Sequence, residues 1–223
     1  MRNVNRLSGI LWLISVIAVL ISLIIVLRFD IALNPSELNS DVMGKTLQNV
    51  TKSSTAHIIE LVFDELSDIA IVVLAALLYL GFSKQSRAGA LAGSACLLAG
   101  GIILAAHNMG NFALTWIAKD YVLATGTKAL ALEVAASSML LTAKWGVAIG
   151  SFFFVLGVLI YSVIVTQLSK SVGWLGVIGS ILAFIAIPIG WLGPQLQMIS
   201  VSLYLPLIIW EVTFGIWLIR KKS

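Results

Sequence analysis

Six long apolar stretches dominate this sequence, each close to the roughly 20 residues that an α-helix needs to cross a bilayer core about 30 Å thick. They cover about residues 9–27, 57–82, 89–117, 137–168, 173–191 and 201–219. Only 11% of the 223 residues are charged, whereas soluble domains are roughly 25% charged. The sequence therefore predicts an all-α fold, with one transmembrane domain over residues 1–223 in which six helices form a bundle in the lipid bilayer.

The segment 28–56 is the longest stretch without apolar character, and we expect it to form an outer loop. It is shorter than the roughly 40 residues that a self-supporting core needs. The chain has one cysteine, Cys96, so no disulfide within the chain can staple this loop. Leu38, Val42 and Leu47 predict a short amphipathic helix here that lies on the membrane.

The placement of basic residues predicts that both termini are cytoplasmic, because cytoplasmic segments are enriched in lysine and arginine. In this orientation five basic residues lie outside, spread over longer loops, and none of the ten acidic residues lies in a cytoplasmic segment. We therefore expect a multi-pass protein of the plasma membrane. The eight inside residues are Arg2, Arg6, Lys84, Arg87, Lys170, Arg220, Lys221 and Lys222.

The net charge of +4 does not predict a nucleic-acid partner, because the basic residues cluster beside the apolar stretches and act as topology determinants. Tryptophans near the predicted span ends fit the interfacial preference of this side chain. We expect Trp116, Trp145 and Trp191 near the outer ends, and Trp12, Trp174 and Trp217 near the inner ends.

Two pairs of glycines have the spacing that lets membrane helices approach closely. The pairs are Gly89 with Gly93 and Gly146 with Gly150, in the third and fourth predicted spans. Such pairs join helices either within one bundle or between copies of a chain. The sequence leaves both alternatives open, as it does contact with other membrane subunits.

An acidic stripe is the strongest candidate site, because ionisable groups inside a span are energetically costly and mark functional positions. His57, Glu60, Asp64 and Asp68 fall within about 80° of one another at 100° per residue, and Glu65 lies at the edge. The sequence therefore predicts one face of the second span that contacts something other than lipid.

The third and fourth spans supply candidate partners for this stripe. His107 and Asn111 are four residues apart and share a helix face. Counted from the inner turn, Asp64 and His107 both lie about 30 Å away at 1.5 Å per residue. We expect them to face each other near the outer boundary, with Lys144 as a counter-charge at the same level.

Three interpretations of these residues stay open. The groups are structural, capping the second span and pairing with Lys144, or they bind a cation or cationic ligand, or they catalyse a reaction on the outer face. His57, Glu60, Asp64 and His107 are the candidate metal ligands, although two histidines without a further motif are weak support for an ion. Neither a nucleophile motif nor a phosphate-binding glycine loop is present, so the sequence decides neither an activity nor a cofactor.

The C-terminal stretch resembles the ending of a known family. Pro206, Glu211, Gly215 and Trp217 follow in the order typical of a prokaryotic six-span family catalogued as domain of unknown function 4386. Residues 5–9, the long outer loop and the start of the fifth span at residues 173–176 are similar too. The family usually has an arginine in the third span, whereas only apolar and small residues precede His107 here. The resemblance implies a six-span fold and a prokaryotic source, and it implies no activity.

From these observations we expect a membrane protein that is not catalytic. It is an accessory or scaffold subunit, or it binds a small ligand in a polar pocket that faces the outside. The pocket residues are expected to be His57, Glu60, Asp64, Asp68, His107, Asn111 and Lys144. The alternatives are a cation or proton transporter or channel, and a metal-dependent membrane enzyme with an extracytoplasmic site.

Overall fold

A computed structural model of the chain describes residues 2–29, 40–190 and 194–221. Within these ranges it contains seven α-helices and no strand, which confirms the predicted all-α class. The predicted positions Leu38 and Trp191 lie outside the described residues. The helices are α1 (Arg2–Phe29), α2 (Ser40–Lys52), α3 (Ser54–Phe82), α4 (Arg87–Val122), α5 (Thr127–Thr166), α6 (Lys170–Ile189) and α7 (Pro194–Arg220).

Five helices of the described chain are long and apolar enough to cross a membrane, which indicates a multi-pass membrane protein. The helix that carries the acidic stripe, α3, is not among these five. The five segments are Asn3–Val26, Arg87–Val122, Thr127–Thr166, Lys170–Ile189 and Met198–Arg220.

Six of the helices form a closed ring that follows the order of the chain. α1 packs on α3, α3 on α4, α4 on α5, α5 on α6, α6 on α7, and α7 returns to α1. Short turns join α3 to α4, α4 to α5 and α5 to α6, so these neighbours run antiparallel. The remaining helix, α2, packs mainly against α4 and α5.

The second helix covers an extension of α4 and α5. These helices have 36 and 40 residues, or about 54 and 60 Å, well beyond the thickness of a bilayer core. The hydroxyl of Thr51 on α2 donates a hydrogen bond to the Ala118 carbonyl of α4 at 2.9 Å. The apolar face of α2 forms a small second core with α4 and α5, made of Met43, Leu47, Val50, Leu114, Ala118, Ala136 and Leu140. The expectation that this face lies on the membrane was therefore wrong, because protein rather than lipid buries it.

Aromatic rings fill the centre of the ring of helices. The Trp210 and Phe214 rings are stacked with centroids 4.7 Å apart, and Trp12 meets both of them edge-on at 5.6 and 5.2 Å. Trp12 is only 2% exposed, so its expected place at the lipid interface was wrong. The rings of its neighbours exclude lipid from it.

The C-terminal segment closes the ring against α1. A β-carbon on Gly215 of α7 would lie 3.2 Å from the carbonyl oxygen of Gly9, so the two backbones are in close contact. Trp217 stacks on Phe214 with ring centroids 5.8 Å apart. The ammonium group of Lys221 lies 4.9 Å from the Trp217 ring centroid, and burial lowers the pKa of Lys221.

The glycine pairs lie at the contact between α4 and α5 of the same chain. β-Carbons on Gly93 and Gly150 would meet Tyr161 and Leu104 across this contact, at 2.9 and 2.7 Å. A β-carbon on Gly146 would lie 2.7 Å from that of His107. Of the two alternatives left open by the sequence, the structure shows contact within the bundle.

Replacing Gly100 by alanine is expected to destabilise the protein, although alanine favours helix by about 1 kcal/mol over glycine. The new β-carbon would lie 2.7 Å from the Phe154 backbone nitrogen and 2.9 Å from the Gly150 carbonyl oxygen. Separating two helix backbones costs about 1–3 kcal/mol, which lowers the melting temperature of the detergent-solubilised protein. Gly110→Ala is the matched control in α4, because its β-carbon would meet only the Met139 carbonyl at 3.8 Å. Equal melting temperatures for the two variants would contradict the tight contact.

Candidate functional site

The N-terminal half of α3 directs part of the acidic stripe toward α1. The hydroxyl of Ser22 on α1 donates a hydrogen bond to Glu60 Oε1 at 3.0 Å. His57 Nδ1 lies 3.4 Å from Glu60 Oε2, one helical turn away. His57 is fully buried and Glu60 nearly so. These two residues therefore form a polar pair inside the contact between α1 and α3.

The other part of the stripe is directed toward α4, where one amide group joins two carboxylates. Asn108 Nδ2 donates to Asp64 Oδ2 at 3.1 Å and to Asp68 Oδ2 at 3.4 Å. Asn111 Nδ2 donates to Asn108 Oδ1 at 3.4 Å, which extends the network by one turn of α4. Asp68, Asn108 and Asn111 are buried, and Asp64 is half-buried. The structure thus assembles the polar chain Asn111–Asn108–Asp64/Asp68 across the contact between α3 and α4.

The depth of this polar chain follows from a second contact with α1. The hydroxyls of Ser15 and Ser67 share a hydrogen bond of 2.7 Å. Ser15 is nine residues from Arg6 and thirteen from Arg28, or about 14 and 20 Å along the helix axis. Asp68, next to Ser67, therefore lies about midway along α1. A charge at such a depth is energetically costly unless a partner compensates it.

His107 lies at the edge of this polar chain. Its Nδ1 hydrogen-bonds to the Leu104 carbonyl of its own helix, and its ring is within electrostatic range of Asp64. Lys144 on α5 is half-buried and lies two residues from Gly146, the residue that packs against His107. Asn111 lies one turn further along α4 and hydrogen-bonds to Asn108.

The candidate metal ligands fall into two separate pairs. His57 lies beside Glu60, and Asp64 lies near His107. Among the described residues, no group of three or more histidine, cysteine, aspartate or glutamate side chains could hold a metal ion. The geometry therefore gives a resident metal no specific support.

Several buried polar atoms around the site have no hydrogen-bond partner. They lie on the N-terminal half of α3 and on the facing part of α4, and buried polar groups in proteins are rarely left in this state. Each such atom is a position where a ligand with a matching group gains a hydrogen bond. The atoms are Nε2 of His57, Oδ1 of Asn111 and Oγ1 of Thr115, whereas His57 Nδ1 and Glu60 Oε2 face each other.

Two cavities open beside the C-terminal end of α2, and Lys52 lines both. The smaller one, about 450 Å³, lies between α2 and the turn from α4 to α5. The larger one, about 500 Å³, lies where α1 ends and α3 begins, beside the residues that flank His57. It is lined by Ile25, Lys52, Ser53, Ser54, Thr55, Ala56 and Ile59.

Sequence reasoning missed two residues of the site. Asn108 is the centre of the polar chain, yet it stands between two residues that were singled out, His107 and Asn111. Its spacing of three from Asn111 places both on one helix face, a signal that was available. Ser22 is a single hydroxyl in an apolar span, and such hydroxyls more often bond to their own helix backbone.

A family model described as domain of unknown function (DUF4386) matches residues 6–221. No curated protein and no solved structure gives a significant match to the chain.

Proposed function

This chain belongs to the DUF4386 family, and we propose that it is a six-span, non-catalytic protein of a prokaryotic plasma membrane. In this proposal it binds a small ligand in a polar pocket that faces the outside, and both termini are cytoplasmic. The pocket is the polar chain Asn111–Asn108–Asp64/Asp68, with His57, Glu60, His107 and Lys144 around it.

The ring of helices supports α3 as the sixth span. With 29 residues, α3 is about 43 Å long, enough to cross a bilayer. It fills the position between α1 and α4, and both are long and apolar enough to span. Its carboxylates are directed toward polar groups of these two neighbours, which lowers the cost of placing them in a membrane. Six antiparallel spans place both termini on one side, and the basic residues favour the cytoplasmic side.

Cysteine labelling tests this topology. In a Cys96→Ala background, we expect the Lys45→Cys variant to react with a membrane-impermeant maleimide added to intact cells. The Lys84→Cys variant is expected to react only after permeabilisation, because the turn from α3 to α4 lies inside. Labelling of Lys84→Cys in intact cells, with Lys45→Cys protected, would contradict the orientation.

The polar chain is the observation that carries the proposed pocket. A purely structural role would leave its polar atoms paired, yet Asn111 Oδ1 is unpaired while Asn111 is only 8% exposed. Asp64, Glu65 and His107 are half-buried, so one side of the chain is reachable. These features favour a ligand-binding role over a scaffold in which the polar groups only stabilise the fold.

The inner half of α3 supports a binder over a conduit. Inward of Asp68, its buried residues are apolar until the glycine at its end, namely Ala70, Ile71, Leu74, Ala75 and Leu78. A β-carbon on Gly101 of α4 would lie 3.2 Å from the Asp68 carbonyl oxygen, so the helices meet closely here. The polar residues therefore end at Asp68 and do not continue through the bundle. This suits a site that a ligand enters and leaves from one side, rather than a path across the membrane. The transporter or channel remains the second candidate.

Thermal unfolding with a panel of small ligands tests the binding function. The panel contains inorganic cations, amines, amino acids and small anions, added to the detergent-purified protein. A ligand that binds the folded state at 100 times its dissociation constant stabilises it by about 2.7 kcal/mol. We expect at least one class to raise the melting temperature, with loss of the effect in Asp68→Asn and retention in Glu211→Gln. A response that Asp68→Asn leaves unchanged, or no response to any class, would contradict the proposed pocket.

A further inference from the structure

We propose that the ligand of this pocket is one small monovalent cation, Na⁺ or a proton that competes with it, held between Asp64, Asp68 and the amide oxygen of Asn111. This inference rests on the proposed function and names its ligand class. Asn108 acts as a positioning residue, because it holds both carboxylates beside each other through one amide group.

The chemistry of the polar chain calls for a ligand with positive charge. Asp64 and Asp68 both turn an oxygen toward the same nitrogen of Asn108, so two acidic groups share one donor. Asn111 uses its own nitrogen on Asn108, which leaves its oxygen as an acceptor without a partner in a buried position. The unpartnered atom of the polar chain is thus an acceptor, which a cation satisfies and an anion does not.

The packing around the polar chain limits the ligand to a small one. Immediately inward of Asp68, Gly101 brings the backbones of α3 and α4 together, with a would-be β-carbon 2.9 Å from Val72 Cγ2. Asn108 bonds across the same contact to both carboxylates, so α3 and α4 stay close at this level. A Na⁺ ion or a proton fits such a contact, whereas an organic cation needs the helices to separate.

The donor set of the polar chain argues against a resident divalent ion. Ca²⁺ takes six to eight oxygen ligands, and Mg²⁺ takes six with nearly ideal geometry. The polar chain supplies two carboxylates and one amide oxygen, and no metal-type cluster occurs among the residues described. These protein groups alone therefore do not complete the ligand shell of either divalent ion.

Other titratable groups face the two carboxylates and will shape the pH dependence. Glu60 and Glu65 flank them on α3, and His107 faces Asp64 from α4. Lys144 is the charged residue of α5 near this level, beside the contact of Gly146 with His107. From α1, Ser15 and Ser22 contribute only hydroxyl groups.

Na⁺-dependent thermal unfolding of the full-length protein tests the proposal. The melting temperature is measured in NaCl and in choline chloride at equal ionic strength, between pH 5.5 and 8.5. We expect NaCl to raise the melting temperature at pH 8 for the wild type and for Glu211→Gln, but not for Asp68→Asn. Because one proton displaces one ion, we expect the Na⁺ midpoint to rise by up to about tenfold per pH unit on acidification.

The same titration separates the two cations. A Na⁺ effect that weakens on acidification supports the ion, and a pH-dependent stability that Asp68→Asn abolishes, without a Na⁺ effect, supports the proton. The cation proposal is overturned if the wild type responds to neither, or if Asp68→Asn and wild type respond alike. If Asp68→Asn does not fold, Asp64→Asn replaces it, and the wild-type competition between Na⁺ and protons still decides. If the cation proposal is overturned, the thermal-unfolding panel still tests the pocket. A small ligand whose stabilising effect is lost in Asp68→Asn would then support the proposed pocket, and only the cation proposal would be refuted.

Discussion

Replacing Asn108 by leucine is expected to destabilise the protein by about 3–5 kcal/mol, because two hydrogen bonds to carboxylates are lost and each contributes about 1.5–3 kcal/mol. Leucine has the same branching and number of side-chain heavy atoms as asparagine, but it has no hydrogen-bonding group. The substitution removes the hydrogen bonds that Asn108 donates to Asp64 Oδ2 and Asp68 Oδ2, at 3.1 and 3.4 Å. It also removes Asn108 Oδ1, the acceptor for the Asn111 amide group. Both carboxylates then lose this donor, and Asp68 is buried. The melting temperature and the chemical unfolding midpoint in mild detergent measure this loss.

A rescue experiment separates this mechanism from general damage to the core. In an Asp64→Asn/Asp68→Asn background, amides replace both carboxylates, so no charged group needs the Asn108 donor. We therefore expect Asn108→Leu to have less than half its original effect there. Met109→Leu is the neighbouring control, because Met109 is 74% exposed. If Asn108→Leu has the same effect in both backgrounds, the bridging role of Asn108 is wrong.

Replacing Trp210 by alanine is expected to destabilise the bundle by about 3–5 kcal/mol, the range for removing a large aromatic side chain from a core. Trp210 is 0% exposed and stacks on Phe214 at 4.7 Å, with Trp12 edge-on at 5.6 Å. Its indole also lies against Gly176, so that α6, α7 and α1 all meet at this residue. The cavity left by the indole therefore weakens three helix contacts at once.

Trp116→Ala is the control for the Trp210 substitution, because Trp116 is 70% exposed. We expect its unfolding midpoint to stay close to that of the wild type, since an exposed side chain leaves no internal cavity. Unfolding of purified protein in the same detergent compares the two variants. Similar midpoints would show that the aromatic cluster contributes little to holding the ring of helices together.

The positions of the helices were predictable from the sequence, whereas their contacts were only partly so. A run of about 20 apolar residues identifies a potential span by itself, and each predicted stretch lies on one long helix or overlaps most of it. The amphipathic pattern of α2 predicted a helix but not what covers its apolar face. Lipid and a neighbouring helix bury leucine and methionine equally well, so Met43 and Leu47 carry no signal for either. Trp12 shows the same ambiguity, since tryptophan suits an interface and a packed core.

The candidate site was predictable only as a face of one helix. The angles of His57, Glu60, Asp64 and Asp68 follow from helical geometry, but the division of this face between α1 and α4 depends on how the ring closes. Asn108 was not predicted, because only an ionisable group inside a span is costly enough to mark a site by itself, and an amide carries no charge. Its importance comes from its two partners on α3, about 40 residues away in the chain.

The most direct test of the central claim is the accessibility of position 64 from the outside. In a Cys96→Ala background, the Asp64→Cys variant is treated in intact cells with a small, charged thiosulfonate reagent that does not cross membranes. A thiol reacts through its thiolate, which forms only where water reaches it. A pocket open to the outside predicts modification of Asp64→Cys and protection of Leu74→Cys, a position that is 1% exposed on the apolar half of α3. Reaction of Asp64→Cys only from the cytoplasmic side, or no reaction from either side, would contradict an outward-facing polar pocket.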